Sequence, residues 1–284
     1  MKKEYNNPYS FIEGNVICEH KFARTEIYST PTLHNHNGYE ILLFLAGDVT
    51  MYVESDAKKL ERGDLVLISP YSFHGTMLTD LDSYERITIN IREDYMPCIS
   101  DQSTDLTACF TCRPTNKFNF IRLDEDAIKA CSEVAAKLEH TIAEKGYAYR
   151  LLQKSYLTEL MVLINKQLDN YEQPTYHNVL PPLVTDIYQI VEDNLSKDCS
   201  VEFIAQELHH NSDYLNRIFK QYSGNSLKHY ITAKKISLAQ LQLAQGLSPY
   251  DVCFLVGYNN YSTFSRAFND RVGMSPKKYQ ILNR

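Results

Sequence analysis

The sequence predicts an α+β protein of two domains, β-rich at its amino end and wholly helical at its carboxy end. Three observations carry that expectation. Short apolar runs divided by Gly/Asp turns fill the first hundred residues. Helical periodicity takes over near Asp124. In the last third, a twenty-residue motif is written twice, forty-nine positions apart.

Residues 40–45, 49–53, 65–68 and 86–91 read as strands of an antiparallel sandwich or barrel, the last alternating apolar with polar. Residues 124–145 and 149–169 read as helices; Leu151, Leu152, Tyr156, Leu160, Leu163, Ile164 and Leu168 form a stripe broad enough for the barrel and a partner subunit. A polar stretch with Pro174, Pro181 and Pro182 reads as a linker. The expected organisation is 1–123 barrel, 124–170 dimerisation helices, 171–182 linker and 183–284 helical domain.

Composition excludes some classes. No apolar run approaches the ~18 residues of a membrane span, and the start leads into no signal core, so a cytoplasmic protein is expected. The seven cysteines are scattered and odd in number, and Cys109-x-x-Cys112 has no second pair, so free thiols are expected rather than a metal or redox site. The net charge of −6 divides unevenly: residues from Leu183 onward carry 11 Lys/Arg against 9 Asp/Glu, leaving 18 against 26 for the rest. That sign asymmetry suggests different partners for the two parts.

Asn211, Arg217, Phe219, Gly224, Ser226, Lys228 and Tyr230 recur as Asn260, Arg266, Phe268, Gly273, Ser275, Lys277 and Tyr279. Seven identities where chance gives roughly one mark a duplicated unit. Asn211 and Asn260 suit helix N-caps, Gly224 and Gly273 suit left-handed helix ends, and Ser226 and Ser275 suit the next caps. Short helices before each cap, over 201–208 and 249–256, complete two helix-turn-helix units. With Leu215, Ile218, Phe219 and Tyr222 facing inward, Ser212, Asp213, Asn216, Arg217 and Lys220 are left to face a partner. The second copy offers Tyr261, Ser262, Thr263, Ser265, Arg266 and Asn269. These residue types suit base edges and phosphates in a major groove. The residues from Ser226 to Gln245 read as one connecting helix, roughly 30 Å long. That length suits the ~34 Å between successive major grooves, and Lys228, Lys234 and Lys235 would offer charge to the backbone between them.

The stretches Ile204-Ala-Gln-Glu-Leu, Tyr214-Leu-Asn-Arg-Ile-Phe-Lys, Val256-Gly-Tyr-Asn, Phe264-Ser-Arg-Ala-Phe and Gly273-Met-Ser-Pro-Lys-Lys-Tyr resemble the DNA-binding domain of AraC-type (AraC/XylS) transcription regulators. Lys235, Asn269-Asp270 and Gln280 depart from the family pattern, and each change is expected to weaken or remove a phosphate contact. Upstream, His34-x-His36-x3-Glu40-x6-Gly47 and Gly63-Asp-Leu-Val-Leu-Ile-Ser-Pro70-x3-His74 resemble the two cupin motifs. The resemblance implies a cupin-like sensor in which His34, His36, Glu40 and His74 line a pocket for a small polar effector, a sugar or carbohydrate breakdown product. In metal-binding cupins such residues hold an ion, and imidazole with carboxylate suits Fe, Mn, Ni or Zn. Related sensor domains keep the signature without metal, so no metal, no cofactor and no enzyme activity are expected. A metal-dependent cupin enzyme fused to a DNA-binding domain is the rival, and a repair regulator using zinc-bound cysteine lacks its cysteine cluster. The resemblance further implies a homodimeric activator, with promoter DNA and RNA polymerase as partners.

Overall fold

The computed structural model describes residues 14–22, 33–78, 84–101, 103–111, 120–169, 178–197 and 199–283. Cys112, Asn170 and linker residues 171–177 lie outside the described residues. The chain forms two compact units, one made chiefly of residues 34–179 and the other of residues 180–284.

Among the described residues the first unit has eight strands: β1 Val16–Lys21, β2 Gly38–Ala46, β3 Val49–Val53, β4 Asp56–Lys59, β5 Asp64–Ile68, β6 His74–Leu78, β7 Glu85–Arg92 and β8 Phe120–Arg122. They pair antiparallel in a five-stranded sheet, β1-β7-β2-β5-β8, and a three-stranded sheet, β4-β3-β6. Among the described residues the ladders do not run on from one sheet into the other, so two sheets stand where a closed barrel was an option.

The five-stranded sheet is covered on both faces, which explains the unbroken apolar run in β2. Successive side chains point to opposite faces of a strand. Ile41, Leu43, Leu65, Leu67 and Ile89 therefore join one core with helices α2 (Glu125–Glu144) and α3 (Tyr149–Asp169). Leu42, Phe44, Val66 and Ile68 join a second core with Val49, Met51 and Val53 of the smaller sheet. A short helix, α1 (Ala108–Thr111), packs on α3.

Asp124 caps α2, accepting from the Ala127 amide at 2.8 Å. In α3 the buried apolar positions are Leu157, Leu160, Met161 and Ile164. The expected α3 stripe is thus split: Leu151 and Leu152 point outward, 69% and 42% exposed. One polar cluster knits the sheet edge. Asp64, fully buried, accepts from Lys58 Nζ at 2.7 Å, Arg122 Nε at 2.8 Å and the Glu61 amide at 2.9 Å.

The second unit is all helix: α4 Pro182–Asn194, α5 Val201–Glu207, α6 Ser212–Ser223, α7 Leu227–Ala244, α8 Pro249–Leu255, α9 Tyr261–Val272 and α10 Pro276–Leu282. Pro182 opens α4 as a first-turn proline, so the helix begins where the linker was expected to end. No described helix is long and apolar enough to cross a membrane.

Candidate nucleic-acid interface

Five of the seven repeated residues build the same local structure twice. Asn211 accepts from the Asp213 and Tyr214 amides, and Asn260 from the Thr263 amide, so both cap their helices. Gly224 and Gly273 end α6 and α9 at φ 72° and 78°, a backbone that side chains rarely adopt. Ser226 and Ser275 cap the helices that follow. Ser248 caps α8, as its spacing to Asp251 suggested. The cores repeat too: Phe219 and Tyr230 lie 5.2 Å apart between ring centroids, Phe268 and Tyr279 5.5 Å.

The repeated placement of two basic residues has no such structural explanation. Arg217 and Arg266 are exposed on α6 and α9, opposite the buried Leu215–Phe219 and Phe264–Phe268 faces. The Arg217 guanidinium lies 5.6 Å from the ring centre of Tyr214. Asp213, Lys220, Ser262 and Thr263 are exposed on the same helices, and Ser212, Tyr261 and Ser265 are half-buried. Lys228 and Lys277, the other repeated pair, are exposed.

The sensor candidates converge as well. His34 and His74 form a two-way backbone bridge, 2.9 Å in each direction. Their rings lie 4.3 Å apart, and those of His36 and His74 4.9 Å. Glu40 Oε2 lies 3.0 Å from His36 Nε2 and 3.4 Å from His74 Nε2. The Nδ1–H of His74 donates to the Ser72 carbonyl, which turns its Nε2 toward Glu40. Burial opposes ionisation of Glu40, but hydrogen bonds from His36 and His74 outweigh it and hold the carboxyl well below the usual range. Burial also works against charge on His74, and the Glu40 contact overcomes it and holds His74 above its ordinary value. Ring nitrogens of His34, His36 and His74 all fall within 4.8 Å of one another, a donor set that fits a single divalent ion.

Most of the cluster is buried: His36, Glu40 and His74 are 4%, 5% and 2% exposed, and His34 is half-buried. Among the described residues, a separate groove of about 650 Å³ is lined by Tyr39, Glu93, Met96, Asp101, Asp105 and Thr107 among others. Sequence reasoning missed this groove, because its walls come from β2, a 3-10 turn at Glu93–Cys98 and the loop beyond it, with no motif spacing. Tyr71 connects the two places: its amide donates to the His36 carbonyl at 2.7 Å and its side chain bonds Glu93.

Residues 204–281 match the family model described as a helix-turn-helix domain. Over 257 residues the chain is 25% identical to the probable transcriptional regulator LumQ of Photobacterium leiognathi, covering 89% of this chain and 93% of that protein. It is 21% identical to the melibiose operon regulatory protein of Escherichia coli K12, covering 99% and 93%. The solved carboxy-terminal domain of AraT, a response regulator from Geobacillus stearothermophilus, is 30% identical, covering 37% of this chain and 88% of that one at a TM-score of 0.36.

The chain belongs to the AraC/XylS family of DNA-binding transcriptional regulators. The full-length relatives are regulators, not enzymes.

Several polar residues of this regulator take places that the sequence did not suggest. Lys234 is committed to Glu192 of α4 at 2.6 Å and its side chain is only 12% exposed, so its charge is not offered outward as expected. Lys235 is buried and donates to the carbonyls of Lys197 and Gly257 at 3.2 and 3.1 Å. Gln280 is buried and donates to the carbonyls of Gly246 and Leu247 at 3.2 and 2.6 Å. At 235 and 280 both side chains satisfy loop carbonyls inside the unit. Asn216 turns inward as well, accepting from the Leu227 amide at 3.0 Å.

Proposed function

We propose that this regulator is a one-component activator that grips promoter DNA through two adjacent major grooves and answers to a small polar effector. The observation that carries the reading is the pair Arg217 and Arg266, repeated at one register on two equivalent helices and spent on no core or cap. The 18 residues of α7, about 27 Å of helix, suit the ~34 Å between successive grooves on one face. Asp213, Arg217, Lys220, Ser262, Thr263, Ser265 and Arg266 form the base- and phosphate-facing set, with Ser212 and Tyr261 beside them. Asn211, Asn216 and Asn260 act through the helices they hold.

The effector reading places a sugar or carbohydrate breakdown product in a cupin-like amino-terminal domain, with His34, His36, Glu40 and His74 as its polar wall and no metal required. The relation to a melibiose operon regulator supports that class. Helices α2 and α3 form the dimer contact, for which the outward Leu151 and Leu152 supply apolar surface. The linker carries the change to the DNA-binding unit, RNA polymerase is the further partner, and the cytoplasm is the place of action.

Footprinting of the full-length protein on genomic fragments tests the reading. Two protected stretches one DNA turn apart are expected, and a single protected stretch at every site would refute the paired grip. A thermal-shift screen against monosaccharides and polyols tests the effector class; a rise in Tm with none of them removes it.

A further inference from the structure

Both recognition helices are fastened to the opening of the connector α7. Asn216 of α6 accepts from the amide of Leu227, the first residue of α7. Two residues along, His229 makes two bonds. Its Nδ1 lies 3.1 Å from Asn225 Oδ1, in the turn between α6 and α7, and its Nε2 lies 3.0 Å from Arg271 Nη1. Arg271 belongs to the last turn of α9. The Asn225 amide group in turn donates to the carbonyl of Ser223, the last residue of α6.

The chemistry of this chain fixes the state of the imidazole. A guanidinium has only donors, so His229 Nε2 must accept from Arg271. That leaves Nδ1–H to donate to Asn225 Oδ1, and the ring is neutral in a single tautomer. Protonation would place a donor against a donor and a cation against a cation. Arg271 faces the ring from α9, the exposed Lys228 precedes it on α7, and neither favours a second positive charge.

We propose that His229 is a positioning residue for DNA recognition: in its neutral form it sets the angle of α9 against the connector, and its protonation frees α9 from that setting. Burial, and then the charge of Arg271, push His229 below its ordinary value, so the neutral form is the one present near neutrality. The proposal rests on the paired-groove reading above. An error in the angle of α9 costs little on one groove. It costs much when both grooves must be met at once.

The test uses full-length protein and duplexes selected by it from a random library. Affinity is compared for a selected two-box duplex and for the same duplex with the second box scrambled, at about pH 7.5 and about pH 5.5. The wild-type advantage of two boxes over one should fall roughly tenfold on acidification, the size of one lost charge-assisted hydrogen bond. His229→Ala should lack that advantage at both pH values. His229→Gln, whose amide oxygen accepts from Arg271 at any pH, should keep it at both.

A His229→Ala protein with the full advantage near pH 7.5, or a wild-type advantage indifferent to pH, overturns the proposal. Should His229→Ala lose single-box binding as well, the Gln variant and the wild-type profile decide. Selection that yields no two-box duplex removes the paired grip itself, and the proposal with it; single-box binding and its pH profile tell that failure from a failure of His229.

Discussion

The ammonium of Lys234 and the carboxylate of Glu192 lie 2.6 Å apart, joining the middle of α7 to α4. A lysine that sequence position would place on the outer side of a connector instead ties that connector to α4. Charge on α7 is thus divided between scaffold and surface, with Lys228 outside and Lys234 and Lys235 inside.

Lys234→Ala should therefore leave the salt dependence of promoter binding unchanged. A direct phosphate contact would lower the slope of log K against log salt by about one unit. The pair is partly open on the Glu192 side, so the stability loss should be no more than ~1 kcal/mol. Binding isotherms over a salt series check both statements, and a slope lowered by one unit would restore Lys234 to the DNA.

Arg217→Ala and Arg266→Ala should each weaken binding to the selected site by roughly 1–3 kcal/mol and relax preference at the bases each one faces. Their exposure means the fold should not suffer. Selection from a random library with each variant reads the preference directly. Unchanged preference in both would show that the wrong face of α6 and α9 has been assigned.

Asp64→Asn should destabilise the first unit by roughly 3 kcal/mol, because it leaves the Lys58 ammonium, with a side chain only 11% exposed, without its anion. Arg122 is more open and keeps Glu61, so it adds less. Urea unfolding measures the change; a loss below ~1 kcal/mol would mean that solvent or Glu61 takes over the charge.

Gly257→Ala should disrupt the turn after α8. A Cβ there would fall 2.5 Å from the Lys197 carbonyl oxygen and 2.9 Å from Lys235 Nζ, at φ +73°. Strain and the displaced ammonium should together lower stability by more than ~2 kcal/mol. A calorimetric scan showing no loss would mean the turn can open without cost.

The depressed His229 also makes stability pH-dependent, with a definite sign. Its folded-state value lies below the unfolded one, so the unfolded chain binds more protons as pH drops past ~6.5. The contribution is complete above that pH and is lost as pH falls. His229→Gln should flatten this part of the pH profile of unfolding; a profile as steep as that of wild type would assign the dependence to other groups.

Elements with strong local signals were legible in the residues alone. The strands β2, β3, β5 and β7 follow from apolar runs, and α2, α3 and the caps of α6 to α10 follow from spacing and cap chemistry. The strands β1, β4, β6 and β8 were not. Strand β4 reads Asp-Ala-Lys-Lys, a sequence with no apolar pattern, and it extends because β3 and the Asp64 carboxylate receive it. Strand β8 has three residues and exists through its pairing with β5. The spacing of His34, His36, Glu40 and His74 was legible in the residues, but the groove beside Tyr39 and Glu93 was not, since strand β2 and residues 93–107 meet only in the fold.

By itself the sequence determined the duplicated helix-turn-helix unit, its caps and glycine stops, and the repeated arginine, because each depends on neighbours within a few positions. Tertiary structure alone decided which polar side chains turn inward. Lys235 meets carbonyls from residues 197 and 257, and Gln280 meets those of 246 and 247. A buried donor is stable only where an acceptor waits, and here those acceptors come from segments that folding alone brings near.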